Sequence, residues 1–505
     1  MASKIFTAAL EGLDCFIVEV ETDYQKRQFS FSVVGLADKS IQEARDRIPS
    51  AIKASGVNFI PARIVSNLAP AEVHKSGPSY DLPLAIGYLT ATHQLEIDPN
   101  NKIFIGELAL DGRLRPVNGI LPIADGIFKL GYSEIYLPEE NAHEAKLIEG
   151  LKVYPVKTLK DLVNHFWGIS IIEPLSKVPI RSTNKIDYLF DLADVKGQTH
   201  AKRALEIAAA GGHNLLLSGV PGSGKTLLSR CIPTILPQMT IQESLEVTRI
   251  YSIIGATSKK DPLINSRPFR TPHHTSSQVA LVGGGTKIRP GEISLSHRGV
   301  LFLDEFPEFS VQALEALRQP LEDKVVTIAR ASGTLTFPAN FILIAAMNPC
   351  RCGYFGDPDK ECSCSQNEIL KYQSKISGPI LDRIDIFVNV SKVKNTDLLS
   401  KSSSESSASV RNRVESARQF QLKRFNGTNF VCNSDMMHKQ INEFIQLEES
   451  SRELVEKAMK NLQLSARSYY RLLKVARTIA DLDNSANVKD DHVQEALSFR
   501  VSLGA

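Results

Sequence analysis

Short apolar runs alternate with helix-like segments along the first third of the chain. Residues 29–35, 103–109 and 135–137 have the β-branched and aromatic character of strands, and residues 40–54 have the periodicity of a helix with a serine N-cap. Residues 170–187 combine Pro, Ser, Lys and Thr with few large apolar side chains, which is typical of a linker. The pattern predicts an α/β unit that ends in a linker.

A second α/β block occupies the middle of the chain and is followed by a serine-rich stretch, residues 400–409. From Arg411 onward the pattern is helical throughout, and no internal repeat is visible. The chain therefore predicts three compact units and two linkers. The predicted segments are a first unit at 1–169, a linker at 170–190, a second unit at 191–395, a serine-rich linker at 396–410 and a helical unit at 411–505.

A glycine-rich turn joins an apolar strand to a helix in the second unit. Residues 215–217 are leucines, the sequence G-x-x-x-x-G-K-T follows, and residues 227–230 continue as a helix. Glycines let backbone N–H groups wrap around phosphate oxygens, Lys225 can reach the β and γ oxygens, and Thr226 can bind Mg²⁺. The flanking strand and helix distinguish this turn from a chance match. The predicted nucleotide-binding residues are Gly219, Val220, Pro221, Gly222, Ser223, Gly224, Lys225 and Thr226.

A second apolar strand, residues 300–303, ends in Asp304 and Glu305. A carboxylate at a strand end beside a P-loop is where Mg²⁺ needs a ligand, and the next glutamate is placed to orient or deprotonate the attacking water. The alternative is a pair of strand-end acids that face solvent. The two motifs together predict nucleotide hydrolysis with Asp304 as a magnesium ligand and Glu305 as a catalytic residue.

The long segment between these motifs suggests inserted structure. It contains consecutive histidines, His273 and His274, and a glycine triplet at 283–285. The triplet lacks a strand-then-helix frame, so a flexible loop is predicted. Adjacent side chains point apart, which favours structural or solvent-facing histidines over a metal pair.

These motifs resemble those of the AAA+ ATPases, within the group that contains magnesium-chelatase ATPase subunits and MCM helicases, and most of all the ComM/YifB-type magnesium-chelatase-like family. The resemblance covers nearly the whole chain and implies an α/β fold whose AAA+ αβα core carries a helix-2 insert and a hairpin before sensor 1, followed by an all-α lid. Besides the P-loop, the phrases that carry it are residues 194–198, 268–274, 290–294, 299–305, 348–350 and 473–481.

The resemblance implies three further catalytic residues. Asn348, at the end of the strand 341–347, looks like the sensor-1 residue that helps hold the hydrolytic water. Arg383 looks like the arginine finger, which in this family reaches the nucleotide of the neighbouring subunit. Arg467 resembles the sensor-2 arginine of the lid; its alternative is one member of a solvated basic stripe. An arginine that acts across subunits implies a homo-hexamer.

In the family, the insert and the hairpin line the central channel of the ring. The hairpin here would span residues 325–335, with Arg330 where MCM-like helicases place a DNA contact, and Lys287 and Arg289 are candidates on the other insert. The alternative for each is a cation that faces solvent. Six copies of these residues would make a positive channel, and phosphate contacts dominate DNA affinity.

Composition limits the remaining function classes. Lys and Arg number 59 against 56 Asp and Glu, a formal charge of +3, so any grip on DNA must be local. The first residues do not read as a secretory signal, and the most apolar stretches are strand-sized, so no membrane span is expected. Seven cysteines, an odd number, do not indicate a secreted disulfide framework. A cytoplasmic protein is predicted.

Four of the cysteines fall in one short segment with the spacing C-x-C-x₉-C-x-C. Four thiolates so close in sequence can form a tetrahedral Zn²⁺ site. Reduced, unliganded cysteines are the alternative, and an iron–sulfur cluster is a poorer fit because the spacing matches no common ferredoxin run. The predicted zinc ligands are Cys350, Cys352, Cys362 and Cys364.

The N-terminal unit resembles the α+β fold of Lon-type proteases. Ser79 falls where those proteases keep their nucleophile, but Leu121 occupies the position of the partner lysine. A serine without its base is a weak nucleophile, so a binding and assembly domain without a catalytic dyad is predicted. The segments that carry this resemblance are residues 75–79, 82–89, 104–107, 112–113 and 138–141.

The resemblance implies a hexameric DNA translocase or helicase that uses ATP and Mg²⁺ to promote branch migration in homologous recombination, during integration of DNA in natural transformation. Its expected partners are single-stranded, duplex and branched DNA and a recombinase or other recombination proteins. The alternative is a magnesium-chelatase-like motor that remodels partner proteins. Leu121 disfavours a Lon-like protease. The basic candidates favour DNA only weakly, because remodelling motors can carry basic loops too.

Overall fold

The computed structural model describes residues 2–25, 28–72, 75–176, 188–285, 288–330, 333–393, 405–461 and 465–500. The chain forms two compact units, each built from discontinuous segments. The N-terminal unit comprises Met1–Asn184 and Ile241–Ile264, and the second unit comprises Lys185–Thr240 and Asn265–Ala505. A segment that lies between the two nucleotide motifs in sequence therefore belongs to the N-terminal unit.

The strands of the described residues are mostly short. In chain order they are β1 (Ser3–Glu11), β2 (Asp14–Gln25), β3 (Ser30–Val34), β4 (Arg63–Ala69), β5 (Lys102–Phe104), β6 (Glu107–Leu108), β7 (Leu114–Arg115), β8 (Glu134–Pro138), β9 (Lys152–Val156), β10 (Leu215–Ser218), β11 (Phe269–Arg270), β12 (Gly283–Gly284), β13 (Arg289–Pro290), β14 (Val300–Leu303), β15 (Val325–Arg330), β16 (Gly333–Pro338), β17 (Ile342–Met347) and β18 (Ile386–Asn389).

The helices range from single turns to long rods. In chain order they are α1 (Lys39–Gln42), α2 (Ala44–Ala54), α3 (Asp81–Ala91), α4 (Ile120–Lys129), α5 (Ala142–Ala145), α6 (Leu159–Phe166), α7 (Thr199–Gly211), α8 (Lys225–Ile235), α9 (Ile241–Ile253), α10 (Gln278–Val282), α11 (Glu292–Leu295), α12 (Val311–Glu315), α13 (Arg318–Asp323), α14 (Gln366–Gln373), α15 (Gly378–Leu381), α16 (Ser407–Arg424), α17 (His438–Phe444), α18 (Glu449–Asn461), α19 (Ala466–Leu482) and α20 (Asp490–Ser498).

The first helical stretch differs from its prediction at its start. The serine expected to cap it lies inside α1, and the cap is Asp38, whose carboxylate accepts a hydrogen bond of 2.9 Å from the Ile41 N–H. The stretch also divides at Glu43 into α1 and α2. Both Asp and Ser make good caps, and the predicted serine cap was wrong.

A mixed four-stranded sheet forms one part of the N-terminal unit. Its order is β1-β2-β4-β3, in which β3 runs parallel to β4 and the other neighbours are antiparallel. Alternate residues of β4 are buried, as expected for a sheet that is covered on one face. Apolar side chains of α2 and α3 complete this core.

A second core in the same unit surrounds a small parallel sheet, β5-β8-β9, and helix α4. Leu263, from the discontinuous segment, is buried in this core, and Leu245 of α9 packs against it. Ser252 of α9 donates a hydrogen bond to the buried carboxylate of Glu144. The Gly119 N–H donates to the Ser252 carbonyl at 2.9 Å. Helix α9 is therefore an integral part of the N-terminal unit.

The second unit is built on a five-stranded parallel sheet of order β11-β14-β17-β10-β18. Every residue of β10 and β14 is buried, and both strands are almost entirely apolar. This pattern is typical of parallel strands that are covered by helices on both faces. The predicted α/β class is confirmed.

The helices beyond residue 405 pack into the core of this sheet. Buried side chains of α16, α19 and α20 form one cluster with α7, α8 and strands β10, β14, β17 and β18. The helical segment predicted as a lid therefore shares its core with the segment predicted as the ATPase domain. The domain boundaries themselves remain predictions.

Two antiparallel strand pairs adjoin each other in the second unit. Gly284 of β12 pairs with Arg289 of β13, and β15 pairs with β16 where a hairpin was predicted. A Cβ atom placed on Gly283 would lie 3.2 Å from Cδ1 of Ile328 in β15. The two strand pairs are thus in direct contact.

Candidate active site

Three predicted site segments meet at one edge of the parallel sheet. The P-loop follows β10, Asp304 follows β14 and Asn348 follows β17, and these strands are consecutive neighbours in the order β14-β17-β10. The carboxyl ends of parallel strands lie at the same sheet edge, where ligands bind in open α/β sheets. The Gly219 N–H donates to the Met347 carbonyl at 3.2 Å, which fixes the P-loop beside the Asn348 segment.

Glycines are required at three P-loop positions for two different reasons. Gly222 and Gly224 have φ angles of 78° and 90°, which side chains disfavour. At Gly219 a Cβ atom would lie 2.3 Å from the Val390 carbonyl oxygen, so the backbone of the next strand segment leaves no room for a side chain. The loop's backbone path therefore depends on these residues.

Lys225 is buried at the start of α8 and reaches back over the P-loop. Its Nζ donates to the carbonyls of Gly219 at 2.7 Å and Val220 at 3.0 Å and to Oδ1 of Asn348 at 3.2 Å. Burial lowers the pKa of the ammonium, an effect that the charge of Asp304 opposes. The lysine and the predicted sensor asparagine are thus in direct contact.

The two predicted magnesium ligands also lie together. The Thr226 hydroxyl donates to the Asp304 carboxylate at 2.9 Å. A hydroxyl beside a carboxylate is a set of hard oxygen donors that suits Mg²⁺. The Ser223 hydroxyl is buried and has no hydrogen-bond partner among the described residues, so an acceptor such as a phosphate oxygen would satisfy it. The donors present fit both Mg²⁺ and a nucleotide phosphate.

Glu305 is held in an unusual conformation. Its φ angle is 53°, in the left-handed region, and its N–H donates to the Asp304 carboxylate at 3.0 Å. Its side chain is 56% exposed, and Oε2 lies 3.0 Å from Nδ1 of His274. Sequence reasoning assigned His274 a structural or solvent-facing role and missed this contact.

Arg383 and Arg467 lie at the opposite edge of the sheet. The Arg383 carbonyl accepts from the Asn214 side chain at 2.9 Å, and Asn214 precedes β10. Five residue steps, about 16 Å of extended chain, separate Asn214 from Gly219. The buried guanidinium of Arg383 donates to the Glu322 carboxylate, and Arg467 lies 3.5 Å from the same carboxylate. Neither arginine is brought to the P-loop of its own chain.

The four cysteine side chains converge. The Sγ atoms of Cys350, Cys352 and Cys362 are 3.4 to 3.7 Å apart, and those of all four cysteines lie within 4.8 Å of one another. Tetrahedral zinc, with Zn–S bonds of about 2.3 Å, places its sulfurs about 3.8 Å apart. A hydrogen bond from the Tyr354 backbone lowers the pKa of Cys352 to about 5, whereas burial and the neighbouring thiols raise the pKa of Cys362 to about 12 and also raise the pKa of Cys364. The positions of the four sulfurs, rather than these pKa values, therefore support zinc. The donor set and its spacing fit zinc.

Two polar residues that sequence reasoning did not single out connect this region to the P-loop. Gln198 donates to the carbonyls of Ser223 at 3.3 Å and Ser391 at 2.5 Å. The next residue, Lys392, pairs with the buried carboxylate of Asp357, between the cysteine pairs, at 2.8 Å. Gln198 lies within residues 194–198, one of the segments that carry the family resemblance, so the sequence offered a reason to single it out. Lys392 lies in no such segment.

The DNA-binding candidates are only partly described. Lys287 lies outside the described residues. Arg289 is exposed on β13, and the backbone of Arg330 pairs with Gly333 at the end of β15. Since the two strand pairs are in contact, Arg289 and Arg330 belong to adjoining hairpin segments.

Ser79 and Leu121, the two residues compared with the catalytic pair of Lon-type proteases, lie in the N-terminal unit. Ser79 is half-buried in a short turn, Pro78–Tyr80. Leu121 is fully buried in the apolar core around α4, and its N–H donates to the Glu144 carboxylate at 3.0 Å. The position predicted to correspond to the lysine of such proteases is thus filled by a buried apolar side chain.

No helix in the described ranges is long and apolar enough to cross a membrane.

Comparison with known proteins identifies three matching family models. "Magnesium chelatase, subunit ChlI" matches residues 191–398, "Subunit ChlI of Mg-chelatase" matches residues 20–141, and "Magnesium chelatase, subunit ChlI C-terminal" matches residues 404–500. Together these models cover most of the chain.

Curated relatives agree with these models. The chain is 39% identical to Competence protein ComM of Haemophilus influenzae, over 99% of this chain and 97% of that protein. It is 40% identical to the protein YifB of Escherichia coli, over 99% of this chain and 97% of that protein. It is 25% identical to Lon protease 2 of Bacillus subtilis over 29% of each chain. The chain therefore belongs to the ComM/YifB-type family of magnesium-chelatase-like proteins.

Proposed function

We propose that the protein is an AAA+ ATPase whose hydrolysis drives movement along branched DNA. The observation that carries the ATPase assignment is the convergence of Lys225, Thr226, Asp304 and Asn348 at one sheet edge, joined by hydrogen bonds of 2.9 and 3.2 Å. The ATPase assignment is also supported by the match to the magnesium chelatase model and by the similarity to Lon protease 2.

Each residue at this edge has a role that follows from its chemistry. The P-loop N–H groups and the start of α8 bind phosphate oxygens, and Lys225 exchanges its carbonyl partners for the β and γ oxygens. Glu305 accepts a proton from the attacking water, and Asn348 orients that water. Bound Mg²⁺, held by Thr226 and Asp304, would supply charge neutralisation on the phosphates.

We propose that Arg383 and Arg467 act on the nucleotide of a neighbouring subunit within a homo-hexamer. The supporting observation is that both reach Glu322 at the sheet edge opposite their own P-loop. Mixing Lys225→Ala subunits with Arg383→Ala subunits should then restore part of the ATPase activity that each variant lacks alone. An inactive mixture that still forms hexamers would overturn this assignment.

The proposed substrate is DNA, and the process is branch migration in homologous recombination, in particular integration of DNA during natural transformation. It takes place in the cytoplasm, together with a recombinase or other recombination proteins. The name of the Haemophilus influenzae relative supports the link to competence. The adjoining positions of the strand pairs that contain Arg289 and Arg330 support a shared contact surface for DNA.

The test measures ATPase activity with and without branched DNA, and displacement of a labelled strand from a three-stranded junction. We expect stimulation and displacement, and loss of both in Lys225→Ala. Arg330→Ala should lose DNA binding and keep basal hydrolysis, whereas Lys457→Ala, which removes a surface cation that is 72% exposed, should keep both. An active hexamer that is neither stimulated by DNA nor able to displace the strand contradicts the proposal.

A second candidate function is remodelling of partner proteins, as in magnesium chelatase. The three family models named after that enzyme's subunit favour it. In that case partner proteins, rather than branched DNA, would stimulate the ATPase, and the strand-displacement assay would separate the two functions.

We also propose that the four cysteines bind one zinc ion per subunit in a closed structural site, a role supported by their sulfur spacing. Metal analysis of the purified protein should give about one zinc per chain. A Cys362→Ser, Cys364→Ser double variant should lose it. Absence of zinc from wild-type protein prepared without chelators would refute this assignment.

A further inference from the structure

We infer that the cysteine loop, residues 350–364, positions the P-loop, so that metal held by its cysteines sets the nucleotide affinity of the ATPase site. This inference rests on the proposed nucleotide and zinc sites and adds a regulatory link between them. Two independent sets of contacts connect the loop to the P-loop.

The first connection is direct packing of Gly353 on the P-loop. A Cβ atom on Gly353 would lie 2.7 Å and 2.9 Å from Cγ and Cδ of Pro221 and 3.9 Å from Cγ of Asn348. At Gly353 the backbone of the cysteine loop therefore packs against Pro221 of the P-loop and lies near Asn348, the predicted sensor residue. The Gly353 N–H donates to the Cys350 carbonyl at 3.0 Å, which ties this contact to a predicted metal ligand.

The second connection runs through Lys392. Its ammonium pairs with Asp357 at 2.8 Å and Asp359 at 3.3 Å, both in the cysteine loop. The neighbouring Ser391 carbonyl accepts from Gln198, which also donates to the Ser223 carbonyl in the P-loop. Displacement of the loop would thus disturb the P-loop at a second point.

The cysteine loop has almost no core of its own. Between residues 351 and 364 no large apolar side chain is buried: the buried groups are Gly353 and the carboxylate of Asp357, and Phe355 is 41% exposed. A segment without buried apolar side chains needs a cross-link to keep one conformation, and metal binding supplies folding energy in such cases. Metal bound by the four cysteines would therefore hold Gly353 against Pro221.

Loss of the metal should relax the P-loop and weaken nucleotide binding. Phosphate affinity depends on several N–H groups that point to one place, and this arrangement is sensitive to small displacements. We expect the Kd for ATP to rise about tenfold in the Cys362→Ser, Cys364→Ser variant.

The decisive comparison uses two glycines of the same loop in the full-length protein. Gly353 and Gly356 both have positive φ angles, 89° and 78°, so alanine strains the backbone at each. The added Cβ meets the P-loop at Gly353, whereas no atom of the described residues lies within 4 Å of a Cβ at Gly356. Gly353→Ala should weaken ATP binding about tenfold with zinc retained, and Gly356→Ala should leave both unchanged.

The measurements are titration with a fluorescent ATP analogue, zinc content and far-ultraviolet circular dichroism, without DNA. Lys225→Ala, which should lose binding, shows that the titration reports on the P-loop. The inference is overturned if Gly353→Ala binds the analogue as tightly as Gly356→Ala, or if removal of zinc leaves the Kd unchanged. The assay contains no DNA, so failure of the proposed DNA activity would not affect its outcome.

Discussion

Replacing His274 tests whether the geometry around Glu305 governs hydrolysis. The Nδ1 of His274 lies 3.0 Å from the side-chain carboxylate of Glu305. The backbone of Glu305 has a φ angle of 53°. The contact with His274 limits the rotamers of Glu305, and no described residue forms a hydrogen bond with its second oxygen, which could accept a proton from water. We therefore expect His274→Ala to lower kcat without changing the KM for ATP, because His274 contributes no described contact to the P-loop.

The expected decrease in kcat for His274→Ala follows from the solvent exposure of the two side chains in the contact. The side chains of His274 and Glu305 are 31% and 56% exposed. Exposed ion pairs contribute about 0.2–1 kcal/mol, so the variant should lose at most about fivefold in kcat. Loss of the base itself, in Glu305→Gln, should cost about 100- to 10,000-fold. The double variant should be no slower than Glu305→Gln, because a positioning residue has no effect once its base is gone.

The chain offers a matched control in the adjacent histidine. The Nδ1 of His273 lies 2.9 Å from the Thr275 hydroxyl, and its ring packs against that of His274 with centroids 4.1 Å apart and planes tilted by 34°. The prediction that the two adjacent side chains point apart was therefore wrong. His273→Ala removes an imidazole from the same turn but leaves the contact with Glu305. Steady-state ATPase assays should give a smaller loss for His273→Ala than for His274→Ala. Equal rates for the two variants, or a higher KM in His274→Ala, would refute the positioning role.

Three further substitutions probe the remaining contacts. Thr226→Val removes the hydroxyl bonded to Asp304 and should lower magnesium-dependent hydrolysis about 100-fold while fluorescent-nucleotide binding in chelator persists. Burial raises the pKa of Glu144, so its contribution to stability is complete below the unfolded value of about 4.3 and declines as pH rises through the higher folded value. Calorimetry of Glu144→Gln should therefore show a melting temperature that rises relative to wild type as pH increases from the unfolded value through the folded value and then keeps a constant difference; a difference that stays constant across the whole series would contradict this. Leu121→Lys should lower the melting temperature by burying an ammonium and should not create peptidase activity; cleavage of a casein substrate would show the opposite.

Local sequence was sufficient to predict the P-loop edge of the site. The residues of the P-loop follow one another along the chain, and the topology of a parallel sheet brings the ends of β14 and β17 beside them. Hydrogen bonds from Lys225 to Asn348 and from Thr226 to Asp304 agree with this expectation. Such motifs are predictable because each lies at a strand end and needs only the strand order to converge.

Other features depend on pairings that leave little trace in the sequence. His274 reaches Glu305 because β11, only two residues long, pairs in parallel with β14. Two residues are too few for a strand pattern to be visible. Helix α9 has the composition of any partly buried helix, and periodicity does not specify which core receives its buried face. Its membership in the N-terminal unit is set by tertiary contacts with α4 and Glu144.

The charges around Glu322 affect how readily Arg383 and Arg467 could leave this carboxylate to contact the nucleotide of a neighbouring subunit. Two guanidinium groups share one carboxylate, which leaves one positive charge without a counter-charge from Glu322. Arg467 is 58% exposed and its pair with Glu322 is long, so its release costs about 1 kcal/mol or less. Arg383 is buried, and separating it from Glu322 is unfavourable unless another anion takes the place of the carboxylate. In the proposed hexamer the γ-phosphate of a nucleotide bound to a neighbouring subunit is such an anion. Arg467 would leave Glu322 for it readily, and Arg383 would leave Glu322 only when that phosphate is within its reach.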